Sequence, residues 1–463
     1  MASDGLEVVR ERRVKAQPSA ARMLADIEAI VGFGIRRPGY PADRQAEEWA
    51  ARRFTELGLR DVVLEPVDVP GWEPGAATLE VWPARDRAAA VRFTGFPLPY
   101  TQGCTDLERD LVGVDAAGAR DQIVVEPLTL IDLPQSFMRD AATFSFDPDG
   151  EFDTLVQTLP FGPGFNRVAD AAVEAGAAGY VGILTGFPWE TADYFVPYDA
   201  EPRPLSGLWL SRRDGTRLQQ LMAAGPCRGR LNVDATSTPV RSHNVVGRLP
   251  GPGAETVIIG SHHDAPWASA VEDASGMALV AAQAEYWAGV PEADRPHNLT
   301  FLLTAGHMAG GAGTRSFADR HAASLASVVL AVHLEHAAEQ ARGDGQRLEL
   351  TGQPEPRWWF TSTDADLQAA VAGALRREDL RRSLVLEPTV FGEAPTTDGA
   401  ALYLAGVPIV QYLTAPMYLF DSADTVDKIH VPSLEPVTRA VIQIIESVRG
   451  RTAAELRGSV TEP

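Results

Sequence analysis

Apolar and polar positions change their rhythm twice along this chain. Between about residues 21 and 57, DIEAIVGF and DRQAEEWAARRFTELG space their apolar residues at helical intervals, separated by the breaker run RRPGYP. Alternation takes over in DVVLEPVDV and ATLEVW, two strand-like pieces on either side of Pro70-Gly71-Trp72. From about Tyr100 to Ser237 the apolar runs are short and broken by Gly, Pro and Asp. There DQIVV at 121–125 predicts a strand, FNRVADAAVEAGAAG at 165–179 a helix and YVGIL at 180–184 the strand it feeds. GLWLSRRDGTRLQQLMAAG follows as strand, turn and helix, and GRLNVDA as a last strand. After Ser242 come near-continuous apolar strands, HNVVGRLPG, TVIIGSHHD, HNLTFLLTAGH, SVVLAVHLEH and VPIVQYL, with helix-length connections and a closing helix, EPVTRAVIQIIESVRG. This pattern predicts an α/β fold with a mixed, mostly parallel central sheet and helices on both faces. It divides the chain into 1–99, the first part of the main domain, 100–240, a β-rich insert, and 241–463, the rest of the main domain.

Composition narrows the function classes. The 463 residues are too many for one ordinary core, and 45% apolar with 22% charged is a globular balance. A formal net charge of −21 argues against nucleic acid or an anionic membrane as partner. The charged start, MASDGLEVVRERRVKAQPSA, lacks an apolar signal core, and no run is long enough to span a bilayer, so a cytoplasmic location is expected. The oligomeric state stays open, a homodimer included. Cys104 and Cys227 are the two cysteines; one bridge between them is conceivable, but a thiolate zinc site is excluded. Any metal must be held by His, Asp and Glu, and seven of the nine histidines fall between His262 and His336.

Candidate ligands stand at successive strand ends. His262 closes TVIIGSH, His307 follows TFLLTAG, Glu335 follows VVLAVHL, and Glu272 lies in the loop before the apolar helical run that includes Met277, Ala278 and Val280. In open α/β sheets ligands collect at such ends, and two imidazoles with two carboxylates suit Zn²⁺, with Mn²⁺ or Fe²⁺ as alternatives. Such an ion would bring the pKa of bound water to about 7 and polarise a carbonyl. Trp358 and Trp359 offer a pocket wall, with buried core the better reading for at least one.

In detail the chain resembles the M28 family of zinc aminopeptidases, a zinc exopeptidase-like scaffold shared with glutaminyl cyclases, carboxypeptidase Q and the transferrin receptor. The residues that carry the resemblance are His262-x-Asp264, the acid ten residues on in EDASG, the strand ends at His307 and Glu335, and the tail DSADTVDKI. GAAGYVGIL and LSRRDGTRLQQLM resemble a protease-associated domain inserted in that scaffold. The resemblance makes His262 a metal ligand, Asp264 the acid that orients it, Glu272 the substitute for a bridging Asp, and Glu335 the substitute for a ligand Asp. Gly306-His307 stands where the family has a general base and a ligand, both acidic; the family's last ligand His would fall near Leu419 or Phe420; and Thr397-Asp398-Gly399 stands near the substrate. These departures favour one metal held by His262, Glu272, His307 and Glu335, or else a three-ligand site with His307 as acid/base. His263, Asp264, His336 and Glu339 are candidates for the missing base, with Asp398 and His336 expected beside the substrate; Glu339 fits a solvated helix start better.

The expected activity is metal-dependent hydrolysis of a peptide-like or amide bond in a small substrate. A different reaction on the same scaffold, such as cyclisation, a lyase step or ring opening, and a catalytically silent binding protein are the alternatives.

Overall fold

The computed structural model describes residues 19–114 and 118–457. The N-terminal residues read above for a signal core lie, up to Pro18, outside the described residues. Among the described residues the strands are β1 (Arg60–Pro83), β2 (Val91–Pro97), β3 (Cys104–Gly113), β4 (Ile123–Pro127), β5 (Asp132–Pro134), β6 (Phe144–Phe146), β7 (Val156–Thr158), β8 (Gly179–Ile183) and β9 (Ser206–Leu210). They continue with β10 (Cys227–Leu249), β11 (Thr256–His262), β12 (Asn298–Thr304), β13 (Val328–Leu334), β14 (Glu339–Gly343), β15 (Leu348–Pro354), β16 (Arg357–Thr361), β17 (Ser383–Leu386) and β18 (Ile409–Thr414).

The main sheet runs β10-β12-β11-β13-β18-β16-β17-β6 and is mixed but mostly parallel. Side-chain alternation sends Val257 and Ile259 to one face, against the helices Ala20–Val31 and Gly276–Ala288, and Ile258 to the other, beside Phe317 and Leu402. Each face is thus closed by helices, and β11 and β13 are buried almost throughout.

Two expected strand pairs are single elements. DVVLEPVDV and ATLEVW form the continuous β1, and GRLNVDA and HNVVGRL the continuous β10, because the two pair antiparallel along nearly their whole lengths. Pro70 lies opposite Pro239, so two residues without an N–H face each other and the ladder survives both. This long ribbon joins the main sheet to a second region, where β1, β2, β9, β8, β4, β3 and β10 are neighbours in order. The sheet of that region includes β2, on the N-terminal side of residue 100. The helix expected over 165–179 shrinks to a 3₁₀ turn at Phe165–Arg167 and a short helix at Asp170–Glu174. The register places Cys104 opposite Val233 and Cys227 opposite Pro83, and both thiols are free.

Residues 128–165 leave the second region and pack on the main one. β6 pairs with the edge strand β17, while Met138, Phe152 and Leu159 bury against Trp358, Phe360 and Leu413. This excursion lays an apolar roof over the ends of β13 and β18. No helix among the described residues is long and apolar enough to cross a membrane.

Candidate metal centre

Three parallel strands deliver the central side chains from their carboxyl ends. His262 is the last residue of β11; Gly306, at φ 70°, turns the chain after β12 so that His307 begins a 3₁₀ turn; Glu335 follows β13 directly. His336 comes next at φ 57°, a left-handed conformation that swings its ring back to the site, where it also borders the cavity above the cluster.

The loop carrying Glu272 is clamped from both sides. Asp424 accepts hydrogen bonds from the amides of Ala270, Val271 and Glu272, at 3.2, 2.8 and 2.8 Å. The buried Arg36 guanidinium donates to the carbonyls of His263, Ser269 and Glu272, at 3.1, 2.8 and 3.2 Å. RRPGYP, legible only as a breaker, thus supplies the cation that organises the site loop.

Glu272 stands at the centre. Its Oε1 lies 3.3 Å from His262 Nε2 and 3.4 Å from His307 Nε2, and its Oε2 lies 2.7 Å from His336 Nε2. The His262 and His307 rings stack at 4.0 Å with 9° between their planes. In each of the three imidazoles Nδ1 faces an oxygen: the Asp264 carbonyl at 3.0 Å for His262, Asp398 Oδ1 at 2.7 Å for His307, the Thr414 carbonyl at 2.8 Å for His336. Carbonyls and carboxylates only accept, so Nδ1 carries the proton and Nε2 is turned to Glu272. His262 Nε2, His336 Nε2 and both Glu272 oxygens are buried and make no hydrogen bond, although they crowd within these distances. Lone pairs so placed repel unless a proton or a metal ion sits among them. One ligand atom each from His262, Glu272 and His307 falls within 4.8 Å of the others, which fits a metal ion.

Without a metal ion in the cluster, the surrounding acids favour protons on two of the imidazoles. Burial holds the His262 ring well below its ordinary value, and the charge of His307 pushes it the same way. Burial opposes a charge on His307, but Asp398 first, then Glu272 and Glu335, outweigh it and raise its pKa. Burial likewise opposes a charge on His336, yet Glu272 and Glu335 bring it up to about 10. Burial would raise Glu335, but His333, His336 and His307 hold it below the usual carboxylate range, so it is ionised at neutral pH.

Other expected residues stand elsewhere or act differently. Asp264 does not orient His262 through its carboxylate, which instead receives the amides of His307 and Met308 at 3.0 and 2.8 Å; its backbone carbonyl meets His262. His263 points away from the site and faces Asp43. Asp398 is not in the substrate cavity but behind His307, and also accepts from Thr304 Oγ1 at 2.8 Å. Glu339 opens β14 and binds the Gly352 amide, where a solvated helix start was expected. Trp358 lines the cavity; Trp359 is core, packed on Tyr412. His333 was missed: its Nε2 lies 2.7 Å from Glu335 Oε1. Alternation in VVLAVHLEH, which puts residues 333 and 335 on one side of the strand, is the signal that could have found it.

Above the cluster lies a cavity of about 320 Å³, reached by Glu272, His307, Glu335 and His336 and otherwise walled mainly by apolar side chains, among them Leu159, Phe161, Phe165, Tyr198 and Trp358. Phe420 shares that wall, near where the family pattern would place a last histidine. Among the described residues, no lysine or arginine lines it.

No family model and no curated protein matches the chain. Solved structures do. A peptidase M28 precursor from Shewanella amazonensis SB2B aligns over 96% of this chain and 96% of its own, with 20% identity and a TM-score of 0.70. The fold is that of the M28 peptidases. BSAP, a zinc aminopeptidase from Bacillus subtilis, aligns over 94% of this chain and 96% of its own, with 13% identity and a TM-score of 0.66. An aminopeptidase from Aneurinibacillus sp. strain AM-1 aligns over 95% of each chain, with 16% identity and a TM-score of 0.64. The M28 likeness spans the second region as well as the main sheet, since each alignment takes in nearly the whole chain.

Proposed function

We propose that the chain is a metal-dependent hydrolase that cleaves an amide bond in a small, largely apolar substrate. The observation that carries this reading is the set of buried, hydrogen-bond-free atoms of His262, Glu272 and His336 at the floor of an apolar cavity, with His307 Nε2 beside them. His262, Glu272 and His307 would hold one divalent ion, zinc first among the candidates. When bound, such an ion polarises a carbonyl and acidifies water.

The chain's own groups do the rest. Asp398 and the Asp264 carbonyl fix the tautomers of His307 and His262, and the Arg36 and Asp424 clamps fix the Glu272 backbone. Glu335, ionised and facing the cavity, is the carboxylate placed to take a proton, in the role the family gives to the residue aligned with Gly306. The aromatic walls exclude water and favour an apolar group on the substrate. The second region is read as a protease-associated domain whose excursion at 128–165 supplies that roof.

The test is hydrolysis of apolar aminoacyl p-nitroanilides and their N-acetyl forms, measured with metal added and removed. Metal-dependent turnover that disappears in His262→Ala supports the reading; no turnover of any amide by metal-loaded protein sinks it. One observation favours a second reading, ring closure or another non-hydrolytic step: the position of the family's general base is Gly306, which has no side chain. Products in which no water has been added would select it.

A further inference from the structure

The structure assigns a second cation site, behind the first, to Asp43, Glu47 and His263. Asp43 and Glu47 are one turn apart on the helix Pro41–Glu56 and so share a face, and His263 lies just beyond the end of β11. One ligand atom from each falls within 4.8 Å of the others, and all three residues are buried, Asp43 at 1% exposure and His263 at 0%.

Most polar atoms around this trio have a hydrogen-bond partner; Asp43 Oδ1 and His263 Nδ1 have none. Asp43 Oδ2 accepts from Gly39 N and Ser242 Oγ, both at 2.9 Å. Glu47 Oε1 accepts from His243 N at 2.8 Å and shares the single Ser242 hydroxyl proton, 2.9 Å away, with Asp43, and Glu47 Oε2 lies 3.0 Å from His243 Nδ1. His263 Nε2 lies 2.9 Å from the His243 carbonyl, which can only accept, so Nε2 carries the proton. That leaves Asp43 Oδ1 and His263 Nδ1. They face each other at 3.0 Å in a contact that falls short of hydrogen-bond geometry. Without an ion, burial opposes a charge on His263 but Asp43 and then Glu47 lift it to about 9, so a proton holds the pair together; with an ion in that proton's place, 3.0 Å is the spacing of two atoms that ligate it. Arg36, the neighbouring cation, gives its hydrogen bonds to the carbonyls of His263, Ser269 and Glu272, and its Nη1 makes none.

Two carboxylates and one imidazole in a closed setting suit a small divalent cation with mixed nitrogen and oxygen ligands, Zn²⁺ or Mn²⁺. Its part is structural: it ties the helix Pro41–Glu56 to the strand end that presents His262 on its other side.

Zinc analysis by mass spectrometry tests this on full-length protein loaded with Zn²⁺ and desalted, as wild type, His262→Ala/His307→Ala, Asp43→Asn and the triple variant. The expected equivalents are two, one, one and none, and Zn²⁺ raises the Tm of the double variant but not of the triple. A double variant that binds no zinc overturns the proposal, and it keeps all three proposed ligands, so the answer does not depend on whether Asp43→Asn folds. One equivalent in wild type that survives in the double variant and vanishes in Asp43→Asn supports this site and refutes the metal at His262, Glu272 and His307.

Discussion

Asp398→Asn removes one charge from the site and little else. Asp398 is buried, with Oδ1 2.7 Å from His307 Nδ1 and Oδ2 2.8 Å from Thr304 Oγ1. Burial alone would raise its pKa, but the charge and hydrogen bond of His307 hold it far below the carboxylate range, so it is an anion here. Asparagine has the same shape; its oxygen can accept from His307 and its amide can donate to the Thr304 hydroxyl, so the fold stays intact. What is lost is the carboxylate that makes His307 Nε2 a stronger donor to a metal. Replacing such a partner costs about 10- to 100-fold in metal affinity. That is about 1.4–2.7 kcal/mol at tenfold per 1.4 kcal/mol. Competition for Zn²⁺ against a chromophoric chelator, with circular dichroism as the fold control, reads this directly. Unchanged affinity in a well-folded variant would show that His307 does not ligate the metal, and would return it to the acid/base role.

Three further outcomes follow from the same geometry. Glu335→Gln keeps its zinc but loses about 10²- to 10⁴-fold in turnover if Glu335 takes the proton; loss of zinc together with activity would make it a ligand instead. Gly306→Glu does not improve hydrolysis and destabilises the fold by about 1–2 kcal/mol, because residue 306 holds φ 70° and an added Cβ would lie 3.0 Å from Val69 Cγ1; activity gained at unchanged Tm would contradict this. Burial lifts the Glu355 carboxyl from 4.5 to about 8, with Gln157 and Arg382 opposing only in part. The folded chain keeps a proton there that the unfolded chain gives up above about pH 4.5. Stability therefore falls from there to about pH 8, by at most about 1.4 kcal/mol per pH unit. Glu355→Gln flattens that slope in urea unfolding at pH 5, 6.5 and 8, and parallel wild-type and variant profiles would refute it.

The sheet was legible because buried parallel strands advertise themselves as continuous apolar runs, and His262, His307 and Glu335 stand where those runs stop. Side-chain direction was harder to read. His336 turns inward only because its backbone is left-handed, and Asp398 reaches His307 from a segment 91 residues away. Nothing local marks Arg36 or Asp424 as clamps on one loop, since each acts across more than 150 residues. The pairing of β6 with β17, which roofs the cavity, spans more than 230 residues and leaves no trace in either segment's pattern. Pro70 and Pro239 argued for broken strands one at a time; only their pairing opposite each other explains why β1 and β10 continue.

The most direct test of the central claim is a crystal of zinc-loaded protein with anomalous diffraction recorded at the zinc edge. The account predicts a peak about 2.0–2.2 Å from His262 Nε2, His307 Nε2 and a Glu272 oxygen. A map without density at that position, from crystals grown in excess zinc, would contradict it.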